Sequence, residues 1–433
     1  MMETIADKKT LTRELIEQRS RQNNEPQWLL SKRLRSLMIY DESIETKKER
    51  LSFSNFDLEN FLSVQKSKIE NNDFHIQREN RSGVLVFENG ETKELHFENE
   101  LSSKGIIVAD FKTALKNHSS LLEKYFMNDC VQITDGKFVS MHGALVENGV
   151  FVYVPKNVSA ALPIHSHNFI SQTNAAHFPH LIIVCEPQSS LTFIDSYNSS
   201  EINFQLESFV SSATELFIGE GARLNYVCLQ EFGENMLYRN FKRAMLKKDA
   251  TLSWIEVSLG GKQSHNDVEV YCEESGINAE IFGIYFAENE QKMSFNTLQK
   301  HIAPHCHSNL LFKGVLADKA QTSYEGLIRV HKGAQKTDAY QKNQNILLSL
   351  GSRADSLPEL EIEADDVRCT HGATVGPIKK DDLFYLMSRG LSHKEATRLL
   401  TLGFFSEAID QISVDDVRNE VMSFIEKRME HVE

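Results

Sequence analysis

Cys369 and His371 stand two residues apart, directly ahead of the small-residue run Gly372-Ala373-Thr374-Val375-Gly376. Side chains alternate along an extended strand, so a thiol and an imidazole at this spacing leave the same face of the backbone. The pair suits a borderline-soft metal such as iron or zinc. Two ligands do not complete a site, so the other donors must come from elsewhere in the chain or from a second chain. A denser group is His301, His305, Cys306 and His307. Its imidazoles and thiol would suit zinc or iron. Pro304 breaks the segment into a turn, and only His305 and His307 share a strand phase. A solvent-exposed turn is therefore expected there, with a metal centre as the alternative. His165 and His167 also alternate in phase, with His177 and His180 downstream; these are expected to be surface and turn histidines. Cys130, Cys185, Cys228 and Cys272 sit among apolar residues and read as small core residues.

Motifs that would make the chain a familiar enzyme are missing. Gly260-Gly261-Lys262-Gln263-Ser264 lacks the upstream glycine of a phosphate-binding loop and puts Gln after Lys. There is no GxSxG elbow, no HExxH helix and no GxGxxG turn. No convincing carboxylate pair for a carbohydrate-acting enzyme is visible either.

The elements that must position these residues follow from composition and periodicity. The chain has 433 residues and a net charge of −14, from 47 Lys plus Arg against 61 Asp plus Glu. That acidity argues against a nucleic-acid groove, which needs clustered positive charge. The six cysteines form no CxxC and read as reduced thiols, not a disulfide framework. Residues 1–15 contain no apolar h-region, and no apolar run is long enough to span a bilayer. A cytoplasmic protein that meets no membrane is the expectation.

Residues 1–75 read as polar and helical. Leu30, Leu34, Leu37 and Met38 share one side of a helix expected to start with Pro26 as its first residue, and Trp28 serves as a packing anchor. The alternating runs around Asn89-Gly90 predict a hairpin. From Gly136 to Gly376 helical periodicity is almost absent, and short apolar runs of strand length recur between similar turns. Many strands, few dedicated hairpin turns and no helical crossovers fit a β-helix, with a β-sandwich as the rival. After Gly376-Pro377 the pattern turns helical, with Leu383, Phe384, Leu386, Met387 and Leu391 on one face. Ser392 and Glu395 form a capping box.

The run Asp365 to Gly376, followed by Asp381 to Gly390, resembles the signature of the SufB/SufD family of iron–sulfur cluster assembly proteins, closest to its SufD branch. Asn24 to Leu30, Thr322 to Val330 and Lys336 to Leu348 agree with it. The resemblance implies a mainly β fold: a right-handed parallel β-helix core flanked by an N-terminal helical region and a C-terminal helical domain. It selects β-helix over sandwich, with expected divisions at 1–134, 135–376 and 377–433. It further implies pairing with a SufB-type chain through the β-helix ends and docking of a SufC-type ATPase on the C-terminal helices. The bound species would be an iron–sulfur cluster, transient and shared with the partner, with none in the isolated chain.

His371 is the residue that the resemblance places at the partner contact; Cys369 is its motif neighbour with a weaker claim. SufB-type chains carry a cysteine ahead of the final strand. The corresponding stretch here, Leu350 to Ser356, has none. The expected role is a non-catalytic scaffold, with a metal-dependent enzyme using His301, His305 and His307 as the alternative. A homodimer of the isolated chain is a further expectation, since a β-helix leaves open ends.

Overall fold

The structure, a computed structural model, describes residues 11–43, 57–62, 67–68, 76–199 and 207–431. Its centre is a parallel β-helix of about eight turns. Successive strands alternate between two sheets, so each coil contributes one strand to each. In one sheet the strands Ser190–Ser199, Arg223–Glu231, Thr251–Ser258, Asn278–Ala287, His307–Leu316, Asp338–Leu347 and Arg368–Pro377 follow one another in register. In the other, the order runs from Ser208–Ile218 to Arg353–Ile362.

The coil persists because its corner turns repeat. Gln188, Gly221, Asp249, Gly276, His305 and Lys336 all have positive φ, between 55° and 77°. Each reverses the chain in the left-handed conformation that Gly, Asn and Asp tolerate best. The turn amides donate to the carbonyls of the next turn, as in Gly221 to Lys248 (2.8 Å) and Asp249 to Ser275 (2.9 Å).

Most strands are buried on both faces, which is why they read as continuous apolar runs. In Thr251–Ser258, Leu252 and Trp254 point into the coil, while Ile255 and Val257 point outward beneath the C-terminal helices. Those helices, His393–Ile409 and Asp415–His431, press Phe405, Ala408, Ile409, Val417, Val421 and Ile425 onto that outer face. On the other sheet, Ile182, Val184 and Phe241 are covered by Phe111, Leu122 and Phe126. Trp28 packs edge-on against Phe126 and donates Nε1–H to Ser119 Oγ at 3.0 Å, a packing anchor.

Several local expectations hold. Asn89 and Gly90 turn the hairpin between Gly83–Glu88 and Glu91–Phe97, both with positive φ. The Ser392–Glu395 capping box forms at the start of His393–Ile409. Others need correction. Pro26 is the N-cap of the helix Gln27–Glu42, not its first residue, and Met38 faces solvent while Leu29 is buried. A helix, Lys137–Leu145, interrupts the stretch expected to lack one; Val139 to Leu145 are all buried. A helix buried on every side has no polar face, so no amphipathic period marks it.

The coil interior also holds charge. Lys242 Nζ donates to both Glu256 oxygens (2.6 and 2.9 Å) and to Cys228 Sγ (2.9 Å), and Trp254 Nε1–H donates to Glu256 Oε2 at 3.2 Å. Both ionic side chains are fully buried. Breaking such a pair strands a charge in low dielectric, whereas replacing both partners does not. Lys242→Met is expected to lower unfolding stability by about 3–5 kcal/mol. The double change Lys242→Met with Glu256→Leu should recover most of it. Urea denaturation of the full chain measures both; equal losses in single and double variants would contradict the ion-pair account.

Candidate metal site at the open end of the β-helix

The two ends of the coil differ. At the first end the antiparallel strands Glu91–Phe97 and Ile107–Asp110 close the sheets. At the other, Arg368–Pro377 and Arg353–Ile362 are the terminal strands of their sheets, and most of their residues are partly or fully exposed. Their outer backbone edges are free to pair with another chain.

Cys369 and His371 lie on Arg368–Pro377, in register with Ala339 and Gln341 of the strand beneath. Ala339, Gln341, Asn343 and Asn345 form the inward face of that strand, so Cys369 and His371 face inward too. Cys369 is half-buried against Ile328, Val330, Ala339 and Ala364. Burial pushes its thiol pKa up, which keeps it protonated and less ready to bind metal. His371 is exposed despite its inward phase, because no further coil covers it. Below it, both amide atoms of buried Gln341 lack a hydrogen-bond partner among the described residues. The end of the coil therefore presents an accessible imidazole over an unsatisfied polar floor.

The other histidines do not assemble as the sequence suggested. His165, His167, His177 and His180 are buried, not surface residues. His165 and His167 stack at 3.8 Å, and His165 Nε2 meets Ser196 Oγ at 2.7 Å. His180 bridges His142 (3.0 Å) and Glu215 (3.0 Å), and Glu215 also accepts the Met127 and Val131 amides. Burial holds His180 near 3 and lifts Glu215 to about 8, so the two meet as neutral imidazole and neutral acid. These are structural networks.

His301, His305 and His307 part company as well. His305 occupies a left-handed turn position (φ 59°) and donates its amide to Gln335 O at 2.9 Å, leaving its side chain in solvent. His307 faces Glu280 at the surface, 3.3 Å away. His301 is fully buried, contrary to the exposed turn expected from the sequence. It stands against Cys306 and against Cys272, its register partner one coil earlier. Sequence spacing alone missed Cys272; aligning the coils on their turns would have found it.

Comparison with known proteins is consistent along the whole chain. Residues 168–404 match the family described as SUF system FeS cluster assembly, SufBD core domain, and residues 63–165 match the SufBD protein N-terminal region. Iron-sulfur cluster assembly protein SufD of Bacillus subtilis (strain 168) is 29% identical over 98% of this chain and 100% of its own. SufB of the same organism is 24% identical over 94% of this chain and 90% of its own. A SufBD family protein of Staphylococcus aureus (strain MRSA252) is 25% identical over the same shares. The strand-coil core, the inward Cys-x-His at its open end and these matches over both regions agree: the chain belongs to the SufBD family of iron–sulfur cluster assembly proteins.

Proposed function

We propose that this chain is the SufD-type, non-catalytic scaffold subunit of a SufB–SufC–SufD-type complex that builds iron–sulfur clusters and hands them on. The observation that carries the reading is His371, inward-facing yet exposed on the last strand of the coil. A SufB-type chain abutting this end supplies the missing ligands, and the cluster is held between the two chains. A split site suits cargo that must be released, because a modest shift between subunits adds or removes ligands. Cys369, half-buried with a raised pKa, is the weaker donor.

In this reading residues 1–134 form the N-terminal region, 135–376 the core and 377–433 the ATPase dock. The helix Lys380–Ser388 supports the dock: none of its residues is buried, and Phe384, Tyr385 and Met387 face solvent. Alone, the chain pairs its open end with a second copy and carries no cluster. Among the described residues no helix is long and apolar enough to cross a membrane, which agrees with a cytoplasmic role.

Co-expression with a SufB-type chain and a SufC-type ATPase tests this. The tagged chain is expected to retain both, and the cluster chromophore should appear only when the SufB-type chain is present. Stoichiometric iron in the isolated chain, or failure to retain either partner, would overturn it.

A further inference from the structure

The buried trio Cys272, His301 and Cys306 lies inside the coil, several strands from the open end. One ligand atom from each lies within 4.8 Å of the other two. We propose that these residues bind a single thiolate-preferring divalent cation of the zinc class, which ties two adjacent coils to the turn between their strands.

The first support is register. The end position of each second-sheet strand repeats through the coils as Ile218, Leu246, Cys272, His301, Val330 and Ile362. The position just before each first-sheet strand repeats as Ala222, Ala250, Ile277, Cys306 and Thr337. Upstream the strand-end column holds Val154 and a lone thiol, Cys185; otherwise it is aliphatic except in two consecutive coils, where the thiol of Cys272 and the imidazole of His301 stand side by side. The third ligand-type residue, Cys306, stands at that same corner.

The second support is the state of His301. Its Nε2 meets Ser308 Oγ at 2.8 Å, and Ser308 Oγ also accepts from Gln299 Nε2 at 2.7 Å. Its Nδ1 is buried without a hydrogen-bond partner among the described residues. A buried ring nitrogen left unpaired costs free energy. If Nε2–H donates to Ser308, Nδ1 carries the free lone pair that a metal needs, the arrangement in which an outer partner fixes the tautomer of a ligating histidine. Cys306 Sγ also approaches the Glu274 and Pro304 carbonyls (3.2 and 3.6 Å), contacts that a thiol donates and a metal-bound thiolate gives up. Two sulfurs and one imidazole suit zinc and leave one tetrahedral position for water.

The site has no ligand in common with the proposed partner contact, and its test separates the two. The reduced, metal-stripped full chain is titrated with Co²⁺, whose thiolate complexes absorb by charge transfer. One equivalent is expected to bind, with the band bleached by Zn²⁺. Cys306→Ala and Cys272→Leu should both abolish the band. These variants are expected to fold, because Leu246 occupies the position of Cys272 one coil earlier and Ala250 that of Cys306 two coils earlier. Ser308→Ala should weaken Co²⁺ binding by about 10–100-fold, and His371→Ala should leave it unchanged. Absence of the band in the wild-type chain, its persistence in both cysteine variants, or a thiol count showing Cys272 and Cys306 already joined as a disulfide would each overturn the proposal.

Discussion

His371→Ala is expected to cut iron–sulfur cluster recovery on the co-expressed three-protein complex by at least about tenfold, the scale seen when ligand support is removed, while the three chains still co-purify. The physical basis is position. His371 is exposed, so its removal leaves no cavity and should change stability by less than about 0.5 kcal/mol. A loss of cluster therefore reports on ligation, not on folding. Cys369→Ala is the companion measurement. Cys369 packs against Ile328, Val330 and Ala364, so trimming its sulfur should destabilise slightly, and cluster recovery should fall less than with His371→Ala. Unchanged cluster content in His371→Ala, measured by absorbance and by iron and sulfide analysis, would remove this residue from the assembly site.

Phe384→Glu combined with Tyr385→Glu is expected to abolish retention of the ATPase subunit without unfolding the chain. Phe384 is 74% and Tyr385 57% exposed, on a helix with no buried residue, so new charges there meet water in the free protein. At an interface the same charges would be desolvated, and aromatic anchors are the residues whose loss costs about 2 kcal/mol or more each. Two such losses amount to roughly a thousandfold in affinity. Deleting the chain beyond Lys379 is a poorer test. It would also strip Phe405, Ile409, Val417, Val421 and Ile425 from the outer sheet face and leave Val227, Ile255 and Phe282 in water. Undiminished co-purification of the double variant with the ATPase would place the dock elsewhere. The result is independent of His371, which lies on the strand before this helix.

The contrast between the two C-terminal faces shows where helical periodicity misleads. The sequence pattern of Leu383, Phe384, Leu386, Met387 and Leu391 predicts one apolar helical face, but the helix ends at Ser388, short of Leu391. In the folded chain Phe384 and Met387 lie in solvent, while the next two helices supply the buried contacts to the sheet. An apolar stripe states that a surface must be covered, not that this chain covers it. The terminal strands behave likewise: their backbone edges are ordinary in sequence and become unpaired only because the coil stops there.

Local sequence determined what depends on near neighbours. The strand-length apolar runs, the Asn89-Gly90 hairpin, the Ser392–Glu395 capping box and the shared strand phase of Cys369 and His371 all rest on spacings of a few residues. Tertiary structure decided which side chains meet across coils. It buried His165, His167, His177 and His180, drew His301 away from His305 and His307, and set it beside Cys272 and Cys306. The reason is that a β-helix stacks residues about one coil apart, so contacts follow the registration of turns whose lengths vary. The same rule decided the standing of His371: its strand phase is written in the motif, but its exposure comes from the end of the stack.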